Sequence, residues 1–159
     1  VNLSQYRNDF YTTLGEDMPL TKDAADGFND LMADYNKATK LADFAVYGTI
    51  ATNISPGSPC PIPFSESKAG NSIDLAVMGY GSVLSYDGLD VEKWVVDNCY
   101  NYGYIVRYPQ NKLEITGEHY CPWHIRYVGI PAASYMYDNN LSVDEYLVMY
   151  GADGPQAVG

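Results

Sequence analysis

Positive charge is scarce in this chain. Its 159 residues hold 9 Lys and Arg against 20 Asp and Glu, a formal net charge of −11. Nucleic acid and anionic membrane surfaces both need a cationic face, so neither is expected as a partner. Long apolar runs are lacking as well. Nothing approaches the ~18 consecutive apolar residues of a membrane-spanning helix, so no span is expected within the chain. It opens VNLSQYRNDF, with no starting Met and neither the charged n-region nor the apolar h-region of a signal peptide. A trimmed or mature domain is expected, which leaves room for an export signal or anchor upstream of Val1. Histidine is limited to His119 and His124, which excludes a metal site of three histidines. The three cysteines, Cys60, Cys99 and Cys121, are odd in number and fit no zinc ribbon or disulfide framework. One disulfide with one free thiol, or three thiols, would both fit. There are no internal repeats and no low-complexity tracts.

What is present suits one globular domain over 1–159, large enough to bury a core. Apolar residues make up 47% and the 16 tyrosines are unusually many. Tyrosine pairs an apolar body with a polar tip, which suits half-buried strands and grooves for polar ligands. The pattern predicts a helix over 2–14 and a clearer one over 22–40, where Ala25, Phe28, Met32 and Tyr35 recur at helical spacing. Strands are expected at 42–51 and 72–79. Between them SPGSPCPIPF, 55–64, holds four prolines and reads as an irregular loop. Asp90 caps a helix through Trp94 and Tyr100 that stops at Gly103. Strands at 104–108, 113–120 and 124–128 follow, then two short helices. The last of these opens with a capping box of Ser142 and Glu145. Helices first, then clustered strands, give an α+β fold with a central antiparallel sheet flanked by helices.

The chemistry-bearing residues are few. Asp74 lies in a predicted strand and His124 opens another. Cys121-x-x-His124 has ligand spacing, and Asp74 supplies a third donor for zinc. A buried His–carboxylate pair beside a core cysteine leaves the same signature, and spacing alone favours it. SESK, 65–68, matches the S-x-x-K pattern of serine peptidases. That pattern needs a helix directly after it, whereas Gly70 and a strand follow, with no S-D-N or K-T-G partner.

WVVDNCYNYGYIVRYPQNKLEITGEHYCPWHIRYVGIPAASYMYDNNLSVDEYL, 94–147, resembles the C-terminal half of the VanY-type zinc D,D-carboxypeptidases. Trp94, Asn98, Tyr102 and Gly103 fit, as do Arg107-Tyr108-Pro109, Ile115-Thr116-Gly117, Pro122-Trp123-His124, Arg126-Tyr127-Val128-Gly129 and Glu145-Tyr146-Leu147. SESKAGNSIDL, 65–75, resembles the family's S-x-H-x-x-G-x-A-x-D motif through Ser65, Gly70 and Asp74. The resemblance implies the VanY/hedgehog-like fold of zinc D,D-carboxypeptidases, whose members trim the terminal D-alanine from peptidoglycan stem peptides.

The departures fall on the chemistry. The family's zinc ligands are the His and Asp of the first motif and the His of the second. Asp74 and His124 match two of them, but Ser67 stands at the first His, and a serine hydroxyl is a poor zinc ligand. Cys121 stands at the general-base Glu, and a thiol with an ordinary pKa of about 8.5 is no substitute for a carboxylate. Ile50, in YGTI, takes the position of the family's substrate-binding Arg. The resemblance therefore implies a catalytically inactive homologue with no zinc expected. Ser65, Trp123, Arg126 and Tyr127 remain to bind a peptidoglycan stem peptide or a cell-wall protein. Two other readings of Cys121 are open. Asp74, Cys121 and His124 form a rebuilt zinc site of an active carboxypeptidase, or Cys60 and Cys121 form a disulfide across the cleft. Otherwise the thiols are free in a metal-free cleft. Cys99 reads as a small core residue. A protein-interaction scaffold is the third functional class, and the expected location is extracytoplasmic.

Overall fold

The computed structural model describes residues 1–49, 70–79, 82–84 and 90–151. The proline-rich loop, the SESK stretch and the positions Ile50, Cys60, Ser65 and Ser67 lie outside the described residues. The elements run α1 (Leu3–Tyr6), β1 (Thr12–Thr13), α2 (Lys22–Thr39), β2 (Phe44–Gly48), β3 (Ser72–Gly79), β4 (Ser82–Leu84), α3 (Asp90–Asn98), a 3-10 turn (Cys99–Tyr102), β5 (Tyr104–Val106), α4 (Leu113–Thr116), β6 (His124–Tyr127), α5 (Ile130–Asp138) and α6 (Val143–Tyr150).

Six strands form one sheet in the order β1-β2-β3-β6-β5, with β4 also paired to β3. All pairings are antiparallel except β1 with β2, which is parallel. The α+β expectation of helices around an antiparallel sheet is thus met, with a parallel edge added. Strand alternation divides the sheet into two chemically different faces. Ile73, Leu75, Val77, Ile125, Tyr104, Val106, Phe44 and Val46 point one way. They join Ala24, Ala25, Phe28, Leu31, Met32 and Tyr35 of α2 in the main core. Thr21 caps that helix by accepting from the Ala24 N–H. The opposite face carries Ser72, Asp74, His124 and Arg126, and its Ile105 packs under α5 and α6 with Ala132, Met136, Val143 and Tyr146.

Two predicted elements differ. The helix expected over 2–14 is only α1, because Asn8 redirects the chain: its side chain accepts from the Phe10 N–H and donates to the Asn29 carbonyl. Such local side-chain bonds compete with helix formation. The strand expected over 113–120 is instead the single turn α4, closed by Gly117 with φ +78°. There the Thr116 hydroxyl also accepts from the Glu118 N–H. The α3 helix with its 3-10 extension does end at Gly103, and the Ser142–Glu145 capping box is complete.

Candidate functional site

The register of β3 and β6 sets Asp74 directly opposite His124. Their Nδ1 and Oδ1 atoms lie 2.9 Å apart. The His124 side chain is fully buried and that of Asp74 is 14% exposed, so the carboxylate faces outward from the pair. CPWH makes the approach. The Cys121 carbonyl accepts from the His124 N–H at 3.2 Å, and the Cys121 N–H donates to the Tyr108 carbonyl at 3.0 Å. Pro122 stiffens this turn, and Trp123 packs against the buried pair Tyr108 and Cys121.

A second layer holds the histidine. The Tyr108 ring stacks on the His124 ring with centroids 5.8 Å apart and planes 19° off parallel. The Arg107 guanidinium lies 4.7 Å from the Tyr108 ring centroid and pairs with Asp144 of α6 at 2.5 Å. Lys112 reaches Glu145 of the same helix at 2.8 Å. Two cations thus bind the first turn of α6 to the segment after β5, and the Asp144 and Glu145 carboxylates of that turn suit the positive end of the helix dipole. Sequence reasoning did not give Arg107 and Tyr108 this role, although both were matched as part of Arg107-Tyr108-Pro109.

Arg126 projects from the same face as His124, one register step along, opposite Ser72. Tyr127, grouped with it as a candidate ligand-binding residue, has the other orientation. Its ring packs edge-on against Tyr104 at 5.3 Å on the α2 side. His119 is exposed and outside the pair. Cys99 is a buried free thiol whose pKa burial pushes up to about 12, in keeping with a core role. Cys121 is disulfide-bonded, which corrects the free-thiol expectation at that position.

Among the described residues the candidate zinc donors brought together are Asp74 and His124. Among the described residues no group of three His, Cys, Asp or Glu comes together to hold a metal ion. Asp74 and His124 supply two donors where a catalytic zinc takes three. A sulfur engaged in a disulfide offers no thiolate as the third.

The sequence profile of the VanY D-alanyl-D-alanine carboxypeptidase family matches residues 34–130. The chain belongs to this family. A D-alanyl-D-alanine carboxypeptidase of Enterococcus faecium is 30% identical over 157 residues, covering 92% of this chain and 50% of that protein. The chain thus spans about half the length, or less, of the curated relatives it matches. Among solved structures, VanYB in complex with D-Ala-D-Ala superposes with a TM-score of 0.67 at 27% identity, covering 86% of each chain. A VanY mutant in complex with Zn(II) gives 0.66 at 26% identity, covering 86% of this chain and 88% of that one.

Proposed function

We propose that the chain is a non-catalytic member of the VanY family that binds a peptidoglycan-type peptide without cleaving it. The observation that carries this reading is the state of Cys121. It occupies the general-base position of the resembling motif, and its sulfur is tied up in a disulfide. A disulfide sulfur can neither accept a proton as a carboxylate does nor ligate a metal as a thiolate does. The disulfide likewise weighs against a rebuilt Asp74–Cys121–His124 metal centre. Cys99 is free, which leaves Cys60 as the partner within the chain, and we assign the bond to Cys60–Cys121. A structural disulfide belongs in an oxidising compartment, so the reading includes an extracytoplasmic location, at the cell wall.

The test is threefold and uses the purified chain. Peptide mapping without reduction should recover a Cys60–Cys121 crosslinked pair. Metal analysis after purification without added zinc should find far less than one equivalent. A peptide ending in D-Ala-D-Ala should release no D-alanine, with or without zinc, yet should perturb the spectrum of the protein on binding. Stoichiometric zinc together with turnover would establish an active carboxypeptidase and reject the proposal. The absence of any peptide binding would instead favour the scaffold reading.

A further inference from the structure

Two short helices leave apolar side chains in the open. α6 buries Val143 and Tyr146 beneath it, yet Val148 is 88% and Met149 55% exposed. α4 lies against α6 and leaves Leu113 45% and Ile115 48% exposed. The 2.8 Å Lys112–Glu145 pair ties the foot of α4 to the first turn of α6. Glu145, Val148 and Met149 stand at i, i+3 and i+4, so they share one helix face, the one turned toward α4. Single exposed apolar residues are ordinary, but four gathered on two touching helices mark an interaction surface.

We infer that the α4–α6 surface docks a cationic amphipathic helix of a partner protein. Its charge points to that occupant. Glu114 is exposed between Leu113 and Ile115. Lys112 and Arg107, at the base of α6, are engaged with Glu145 and Asp144. The last turn of α6, where Val148 and Met149 sit, contains no basic residue, so the negative end of the helix dipole gains no cation from that turn. A partner helix with an apolar stripe flanked by Lys or Arg covers the four side chains and supplies the missing charge. A second copy of the chain would bring another net charge of −11 and a second Glu114, so like charges would meet. An anionic bilayer is disfavoured for the same reason. The inference is independent of peptide binding at the Asp74–His124 cleft.

The probe is a synthetic helical peptide of Leu and Lys, with Leu at helical spacing, titrated into the intact chain by calorimetry. A Leu–Glu peptide of the same pattern and a scrambled Leu–Lys peptide of the same charge are the controls. The patterned Leu–Lys peptide should bind at least about tenfold more tightly than either. Val148→Ser combined with Met149→Gln should weaken it at least about tenfold. Both positions are exposed and neither change alters charge, so folding and long-range attraction stay as they were. Leu41→Ser, at an exposed position between α2 and β2, should bind as the wild type does. Glu114→Lys should weaken binding a few-fold, by a margin that shrinks as salt is added. If the double variant binds as the wild type, or the scrambled peptide binds as tightly as the patterned one, bulk charge is responsible and the assignment is overturned. Failure of the patterned peptide to bind the wild type overturns it as well. Sedimentation of the free chain should show a monomer, and phosphatidylcholine vesicles should not retain it. A dimer, or vesicle binding, that the double variant abolishes would make a second copy or a membrane the occupant and overturn the assignment to a cationic helix.

Discussion

Replacing Gly103 by Ala should destabilise the chain far more than the same change at Gly117. Gly103 has φ +86° and joins the 3-10 turn to β5. Its carbonyl accepts from the Val128 N–H, which fixes the end of the strand carrying His124 and Arg126. A Cβ at Gly103 would lie 2.5 Å from Tyr127 Cε2 and 3.2 Å from the Gly129 carbonyl carbon. Tyr127 cannot swing away freely, because it packs on Tyr104, whose hydroxyl donates to the Ala24 carbonyl at 2.6 Å. Left-handed backbone costs Ala about 1–2 kcal/mol. Forcing a methyl into filled space costs about 1–3 kcal/mol more. Reduced freedom of the unfolded chain returns about 0.4–1 kcal/mol. The net loss is about 3 kcal/mol. Gly117 has φ +78° and nothing within 4 Å of its Cβ direction, so it carries the backbone cost without the overlap. Its loss should be about 1 kcal/mol or less. Urea unfolding of both variants, followed by tryptophan fluorescence and compared at equal m, measures the difference. Equal losses at the two positions would refute the packing account of Gly103 and, with it, the claim that Tyr127 is locked against the α2 side.

Two further outcomes follow from individual groups. Cys99, buried and with its pKa pushed up to about 12, should resist alkylation in the native protein at pH 8 and react fully after unfolding; rapid native labelling counted by mass spectrometry would contradict the core assignment. The Lys112 ammonium beside Glu145, together with the Ser142 N–H, holds that carboxyl below its usual value. Its contribution is therefore present above the ordinary glutamate range and is lost as pH falls through the lowered folded value. Glu145→Gln should cost no more than about 1 kcal/mol at pH 7. The gap to the wild type in urea midpoints should close on acidification, and a gap that widens in acid would invert the sign of the argument.

The parts of the fold legible in the sequence were those where one local rule and the tertiary demand agree. Thr21 begins α2 and its apolar stripe faces the core; Gly103 and the Ser142–Glu145 box end and begin helices as their chemistry requires. Residues 113–120 failed because Leu113 and Ile115 alternate like a strand yet lie exposed on a helical turn, where no sheet neighbour rewards alternation. The start of the chain failed because Asn8 bonds to Asn29, 21 residues away, a partner invisible to periodicity. At the site, Asp74 and His124 were legible as motif residues and stand paired at 2.9 Å. The Asp144–Arg107–Tyr108 layer behind them was not, because it joins three elements through one ion pair and two ring contacts that no spacing encodes.

The deepest test of the non-catalytic reading is to repair the site. On the non-catalytic reading proposed above, three roles are missing: a third metal donor at Ser67, a base at Cys121 and a cation at Ile50. The described residues retain the scaffold on which such roles would sit, with Asp74 opposite His124 and the ring of Tyr108 behind it. Roles that act as a unit are not additive, so restoring one should yield nothing. Ser67→His should raise zinc content toward one equivalent without D-alanine release, since three protein donors make a catalytic set. Adding Cys121→Glu changes two things at once, because it supplies a carboxylate and removes the disulfide. Ser67→His with Cys121→Ser separates them: it removes the disulfide without supplying a base. Turnover should therefore be detectable with Cys121→Glu and absent with Cys121→Ser, by at least about 10²-fold, the usual worth of a positioned base. Ile50→Arg on the Glu background should raise it further, since a cation near developing negative charge contributes several kcal/mol to the barrier. All variants are assayed for D-alanine release from one peptide at one zinc concentration. Equal rates from the Glu and Ser variants would show that opening the disulfide, and not a missing base, had been the obstacle. Clear turnover by the unmodified chain, abolished by Cys121→Ala, would make the cysteine a working group and end the non-catalytic reading.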